Sequence, residues 1–301
     1  MNRFPSGARV CFVGDSITCA NVYLSHIVSY YRRNFSDAGV KFYNCGVAGG
    51  EIINSINTYE SDIALYSPTH IVLTIGVNDS CRTELQNPAS EQRYAVLKGA
   101  YEAFGQNVQR FYSMLKERGA ELIICTPPPY AEYQQNAENP LRGGSALMLG
   151  YAEFFRSFAR ENSLPLCDYH QKMTEIMQHE QIFNSDCVHP NEQGYYYMAK
   201  IFLDFQGLTL DSEEIDPSLS EWRRNVAGLR QIKTYEYIAM PSEQHLYTSE
   251  ERFEKIKERS AKIEKYNPNM AIFLRDNIDT YLENKPHEKE YLSFVKGFME
   301  K

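Results

Sequence analysis

Short apolar runs alternate with longer segments of helical spacing over the first two thirds of the chain. Strands and helices that alternate in this way favour parallel βαβ units, with helices on both faces of the sheet. The apolar runs rich in β-branched residues are typical of buried strands. There are five of them: Arg9–Val13, Lys41–Cys45, His70–Ile75, Glu121–Thr126 and Leu164–Asp168.

The segments between these runs predict amphipathic helices. In Tyr94–Gly119 and Asn191–Phe205, apolar residues recur at intervals of three and four, which places them on one helical face. Gly119 stands where a helix C-cap is expected. The sequence therefore predicts an α/β fold.

The pattern changes near Gly207. Segment 208–301 contains helical patterns without a convincing strand, and Thr248-Ser-Glu-Glu251 is typical of a capping box. We predict an α/β domain over residues 1–207 and an α-helical C-terminal extension over residues 208–301. The apolar stripe of the last predicted helix could pack on the α/β domain, on neighbouring helices or on a second subunit, and the last case would make a homo-oligomer.

Composition and charge narrow the classes of partner. The 301-residue chain has a net charge of −8 and no Lys/Arg cluster, which argues against a nucleic-acid partner. Its apolar runs are too short for a membrane span, and the first is too short for a signal-peptide core, so we expect a cytoplasmic protein. The seven cysteines include no C-x-x-C pair, which favours reduced thiols over a zinc site.

Three short motifs fall at the carboxyl ends of predicted strands, and a fourth lies just before the helix predicted to begin near Asn191. In open α/β sheets, ligands bind beyond the carboxyl ends of the strands. These motifs are therefore candidates for a functional site. They are Gly14-Asp15-Ser16, Asn44–Gly50, Gly76–Asp79 and Asp186–Pro190.

The first and last motifs together contain the parts of a nucleophilic site. A serine hydroxyl such as that of Ser16 attacks efficiently only when a base takes its proton. His189 is a suitable base because imidazole titrates near neutral pH. Asp186 precedes it by three residues, so one tight turn can place the carboxylate beside Nδ1. We predict Ser16, His189 and Asp186 as catalytic residues.

The two middle motifs supply candidates for an oxyanion hole. Acyl transfer needs hydrogen-bond donors aimed at the oxygen that becomes negative. We expect these donors to be the backbone N–H groups of Ser16 and Gly49 and the side-chain amide of Asn78. This chemistry requires no cofactor and no metal.

In this order, the four motifs resemble the conserved blocks of the SGNH (GDSL-type) hydrolase superfamily, over roughly residues 8–205. The resemblance implies a flavodoxin-like three-layer α/β/α sandwich with a five-stranded parallel sheet. It also implies a serine esterase or acylhydrolase without a metal, in which the residues above have the roles just described. Ile17 replaces the leucine of the family's name, which should change local packing only.

Less specific interpretations remain for several of these residues. Ser16 could cap a helix, and His189 could be a surface residue. Asp15 and Asp79 are better explained as architectural hydrogen-bond acceptors. The long polar loop over residues 127–144 could be a plain surface loop, or it could shape a substrate pocket through Tyr130, Tyr133 and Arg142.

The expected activity is hydrolysis of a small-molecule carboxylic ester through an acyl-serine intermediate. The polar loop over residues 127–144 favours short acyl groups, such as acetyl esters of a sugar. A thioesterase or a lysophospholipase-type acylhydrolase is the alternative within the enzyme class. Outside that class, the alternative is a binding or assembly module that acts through the helical extension.

Overall fold

A computed structural model of the protein describes residues 1–134, 141–220, 222, 223 and 226. In this part of the chain there are five β-strands and eight α-helices. The strands are β1 (Arg9–Gly14), β2 (Lys41–Gly46), β3 (His70–Thr74), β4 (Glu121–Cys125) and β5 (Leu166–Cys167). The helices are α1 (Ser16–Cys19), α2 (Val22–Asn34), α3 (Ile52–Asn57), α4 (Tyr59–Asp62), α5 (Glu91–Arg118), α6 (Gly144–Glu161), α7 (Tyr169–Met177) and α8 (Glu192–Phe205).

The five strands form one parallel sheet in the order β2-β1-β3-β4-β5. Val13 of β1 pairs with Cys45 of β2 on one side and with Leu73 of β3 on the other. The strand order reverses at β1, so the loops that leave β1 and β3 run to opposite faces. A crevice opens at such a point beyond the carboxyl ends of the strands.

Helices cover both faces of the sheet. On one face, the ring of Phe12 in β1 lies 6.0 Å from Tyr23 of α2 and 5.5 Å from Phe202 of α8. On the other face, Phe104 of α5 lies 4.7 Å from Tyr151 of α6. The predicted three-layer α/β/α architecture with a five-stranded parallel sheet is therefore confirmed.

Side-chain caps account for the differences between predicted and observed element boundaries. Helix α5 begins before the predicted segment because the Ser90 side chain accepts a hydrogen bond from Arg93 N. It ends at Gly119, which adopts φ +73° as a C-cap. Strand β5 is only two residues long, since Asp168 caps α7 by accepting from Gln171 N.

The chain beyond α8 is described only in part. Asp216 N donates to Ser29 Oγ of α2 at 2.8 Å, and Leu219 and Trp222 are buried. The rest of the predicted helical extension, including the capping box at Thr248 and the apolar stripe proposed for oligomerisation, lies outside the described residues. No helix among the described residues is both long enough and apolar enough to cross a membrane.

Gly194 allows α8 to begin close to the chain that precedes it. A Cβ at this position would lie 2.1 Å from Ile182 O and 2.8 Å from Pro190 Cβ. The backbone oxygen cannot move aside as a flexible side chain can. We expect Gly194→Ala to lower the free energy of unfolding by about 2 kcal/mol, because steric strain outweighs the gain in helix propensity. Urea denaturation measures this change.

Gly99 in α5 is the matched control, since a Cβ there would meet no atom within 4 Å. Gly99→Ala should raise the free energy of unfolding by about 0.5–1 kcal/mol through helix propensity alone. Equal shifts for Gly194→Ala and Gly99→Ala would contradict the packing described for α8.

Candidate active site

The turn that follows β1 presents Ser16 at the carboxyl edge of the sheet. Asp15 Oδ1 accepts a hydrogen bond from Ile17 N at 2.9 Å, so Asp15 is the N-cap of α1. Ser16 is the first residue of that helix and is not its cap, which removes the capping interpretation of this serine. Burial raises the pKa of Asp15 to about 6, against the opposing effects of the Ile17 hydrogen bond and of the nearby His189 and Arg82 charges.

A tight turn before α8 brings Asp186 beside His189. Asp186 Oδ1 accepts hydrogen bonds from the N–H groups of Val188 and His189, each at 3.0 Å. Asp186 Oδ2 lies 2.5 Å from His189 Nδ1. Partial burial alone would raise the pKa of Asp186, but the hydrogen bonds from the His189 side chain and from the two N–H groups hold it below its ordinary value.

Ser16 and His189 meet although 173 positions separate them in the sequence. Ser16 Oγ lies 2.7 Å from His189 Nε2, and both side chains are half-buried. The structure thus brings Ser16, His189 and Asp186 into one hydrogen-bonded row. This contact argues against the interpretation of His189 as a plain surface residue. Such a row can move a proton from the hydroxyl to the imidazole.

The loops after β2 and β3 lie beside this row. Val47 N donates to Gly14 O at 2.9 Å, which holds the first of these loops against the end of β1. Gly49 adopts φ +75°, a left-handed conformation that favours glycine. Asn78 Nδ2 donates to Gly50 O at 3.0 Å, so the two loops are joined directly. Gly49 and Asn78 are therefore on neighbouring loops.

Asp79 also joins these two loops, through a hydrogen bond made by its side chain. Its side chain is buried, and its Oδ1 accepts from Ile52 N at the start of α3 at 3.0 Å. Tyr151 of α6 donates its hydroxyl to the Asp79 backbone oxygen at 3.0 Å. Burial raises the pKa of Asp79 to about 7. The architectural interpretation of Asp79 agrees with these contacts, as that of Asp15 does with its cap.

Arg82 is part of the site although the sequence analysis did not select it. Its Nη1 donates to Asn78 Oδ1 at 3.3 Å. The only signal in the sequence is its spacing of four residues from Asn78, which the turn between them converts into a contact.

The loop after β4 bears on the two interpretations left open for residues 127–144. Tyr130 is buried and donates its hydroxyl to Val77 O at 3.0 Å, so it supports the loop after β3 and does not line a substrate pocket. Tyr133 is 85 % exposed. Glu132, which the sequence analysis did not select, accepts hydrogen bonds from Gly143 N and Ser145 N at 2.6 and 3.0 Å and caps α6. Residues 135–140 lie outside the described residues.

The described ranges contain neither a candidate metal site nor a disulfide. No group of three or more His, Cys, Asp or Glu residues there is placed to hold a metal ion. All seven cysteines belong to the described part of the chain, and none of them forms a disulfide.

Comparisons with known proteins agree with this architecture. The family described as GDSL-like Lipase/Acylhydrolase matches residues 10–202. An acetylxylan esterase of Geobacillus stearothermophilus is 24 % identical over 218 residues, which cover 67 % of this chain and 94 % of that enzyme. The predicted resemblance to SGNH hydrolases is confirmed.

Solved structures show the same fold. A gut microbial diltiazem-metabolizing enzyme, BT4096, superposes with a TM-score of 0.63 at 25 % identity, over 69 % of this chain and 48 % of its own. This chain therefore spans about half the length of that enzyme. A catalytic mutant of Axe2, an acetylxylan esterase from G. stearothermophilus, superposes with a TM-score of 0.57 at 19 % identity, over 69 % of this chain and 98 % of its own.

The match over residues 10–202 takes in four of the five strands in full, the loops that carry Ser16, Gly49 and Asn78, and the turn from Asp186 to His189. The chain therefore belongs to the family of GDSL-like lipases and acylhydrolases, and it is a hydrolase of ester bonds.

Proposed function

We propose that the protein hydrolyses carboxylic esters through an acyl-Ser16 intermediate. The observation that carries this proposal is the 2.7 Å contact between Ser16 Oγ and His189 Nε2. Ser16 Oγ attacks the ester carbonyl carbon while its proton passes to His189 Nε2. Asp186 accepts the hydrogen bond from Nδ1, which fixes the tautomer and stabilises the imidazolium that forms.

The carbonyl oxygen becomes an oxyanion in this step. The Ser16 N–H, the Gly49 N–H and Asn78 Nδ2 are the donors we assign to it. The Ser16 N–H has no carbonyl partner within α1 because it lies in the first turn. Each such donor contributes about 10²–10³-fold to kcat in enzymes of this type.

Breakdown of the tetrahedral intermediate completes the first half-reaction. The bond to the leaving alcohol breaks, and the alkoxide takes the proton from His189 Nε2. Water then attacks the acyl-Ser16 carbonyl while His189 accepts a proton from it. The second tetrahedral intermediate releases the carboxylic acid and returns the proton to Ser16 Oγ, so neither a cofactor nor an external redox partner is consumed.

We assign short acyl groups, acetyl above all, as the preferred substrates, on a carbohydrate or similar polar alcohol. Two observations support this choice. The chain covers 94 % of a relative named acetylxylan esterase. Asn78, the assigned oxyanion donor, and its partner Arg82 make the loop after β3 polar, and polar surroundings suit a small acyl group and a polar alcohol better than a long alkyl chain.

Activity against p-nitrophenyl esters of increasing acyl length tests this assignment. We expect kcat/KM to be highest for the acetate and about 10-fold or more lower for the octanoate, since methylene groups that a site for acetyl esters does not accommodate weaken transition-state binding. Release of acetate from acetylated xylo-oligosaccharides tests the carbohydrate part. A maximum at dodecanoate, or faster hydrolysis of palmitoyl-coenzyme A or lysophosphatidylcholine, would contradict the assignment and favour a thioesterase or a lysophospholipase.

A further inference from the structure

The side-chain amide of Asn78 is held from two sides. Its Nδ2 donates to Gly50 O at 3.0 Å, and its Oδ1 accepts from Arg82 Nη1 at 3.3 Å. A backbone carbonyl can only accept and a guanidinium can only donate. A flipped amide would therefore face Gly50 O with an oxygen and Arg82 with an N–H group. The two partners together select one orientation of the amide.

This orientation suits the proposed oxyanion hole. An amide nitrogen carries two N–H groups, and Gly50 O accepts from one of them. The second is then the donor offered to the substrate oxygen. A cation bonded to Oδ1 polarises the amide and makes its N–H groups stronger donors, as in other chains of hydrogen bonds.

The fold places Arg82 for this contact through a short turn. Ser80 N donates to Gly76 O and Cys81 N donates to Asn78 O, each at 3.1 Å. This turn reverses the chain after β3, and Arg82 begins the 3-10 helix Arg82–Gln86 next to Asn78. The guanidinium also lies near enough to Asp15 for its charge to oppose part of the rise that burial causes in the pKa of that carboxyl. Its positive charge is therefore close to the catalytic turn.

We infer that Arg82 is a positioning residue for the oxyanion hole, which orients and polarises the Asn78 amide without touching the substrate. The inference deepens the proposed function and rests on it. A positioning role differs from a purely structural one because substitution of Arg82 should lower kcat only while the Asn78 amide is present.

A double-mutant cycle on hydrolysis of p-nitrophenyl acetate tests the inference. We expect Arg82→Met to lower kcat about 10- to 30-fold with KM within about 2-fold of the wild type, since one charge-assisted hydrogen bond is lost. Asn78→Ala should lower kcat about 10²–10³-fold. Adding Arg82→Met to Asn78→Ala should change kcat by less than about 2-fold, because two residues that act through one group are not additive.

Two further variants keep the test independent of folding. Arg82→Lys retains the charge and a single donor, so its kcat should lie between those of Arg82→Met and the wild type. It takes the place of Arg82→Met in the cycle if that variant does not fold. Arg118→Met is the matched control. Arg118 is partly exposed, pairs with Glu60 at 2.7 Å and lies 4.8 Å from the Tyr59 ring centroid. This variant should retain the wild-type kcat.

Three results of the double-mutant cycle would overturn the inference and leave the proposed function intact. One is an unchanged kcat in Arg82→Met. Another is a loss expressed in KM alone, which would make Arg82 a substrate contact. The third is an equal factor of decrease in kcat when Arg82→Met is added to Asn78→Ala, which would indicate a general structural role. If the folded wild-type protein hydrolyses no ester, the proposed function is wrong and the inference that rests on it falls as well. This result is known before any Arg82 variant is compared.

Discussion

Ser16→Ala is expected to lower kcat/KM for p-nitrophenyl acetate by about 10⁴-fold or more. The hydroxyl that lies 2.7 Å from His189 Nε2 is then absent, so an acyl-enzyme cannot form. Any residual rate should come from the oxyanion donors and from substrate binding alone. Steady-state kinetics with purified wild-type and variant protein measures the loss.

Ser113→Ala is the matched control for this variant. Ser113 lies on the exposed surface of α5, where its hydroxyl donates to Gln109 O. Its substitution should leave kcat/KM unchanged. Both variants should unfold at nearly the wild-type temperature, because neither hydroxyl belongs to the apolar core. A Ser16→Ala protein with at least a tenth of the wild-type rate would rule out Ser16 as the nucleophile.

Asp186→Asn should lower kcat by about 10⁴-fold while preserving the turn. Asp186 Oδ1 accepts two backbone N–H groups, so the oxygen of an asparagine will remain there and its NH₂ group will replace Oδ2. That NH₂ group faces His189 Nδ1, which must then accept a hydrogen bond. The ring proton of the neutral imidazole then lies on Nε2 instead of Nδ1. Nε2 therefore has no free lone pair to accept the Ser16 proton.

Kinetics of three further variants check this interpretation. His189→Ala should lose about as much activity as Ser16→Ala, and combining it with Asp186→Asn should add little, because the residues act as one unit. Asp37→Asn changes an exposed carboxylate away from the site and should have no effect on kcat. If Asp186→Asn retained kcat within about 10-fold of the wild type, the carboxylate would not control the tautomer.

The sequence was sufficient to predict β1, β2 and β3, because contiguous apolar runs are typical of strands buried on both faces. It was also sufficient to place Asp186 and His189 on one turn, since three residues separate them. The pairing of Ser16 with His189 followed only from the topology, which carries the ends of distant elements to one edge of the sheet.

Features that depend on loop conformation could not be predicted in this way. Arg82 meets Asn78 only because the intervening chain turns back, and no periodicity encodes that turn. Tyr130 stands in a loop of polar composition, yet it is buried beneath Val77. The start of α6 depends on a long-range cap from Glu132, eleven residues before Gly143. Such contacts depend on the path that a loop takes in the folded chain, which no apolar periodicity indicates.

Covalent labelling tests the central claim most directly. Wild-type protein and Ser16→Ala protein are treated with a fluorophosphonate probe, and the intact and digested chains are analysed by mass spectrometry. If His189 activates the Ser16 hydroxyl, the wild type will gain one phosphonyl group on the peptide that contains Ser16, and Ser16→Ala will gain none. A correctly folded wild-type protein that stays unlabelled, or that is labelled at another residue, would contradict the account.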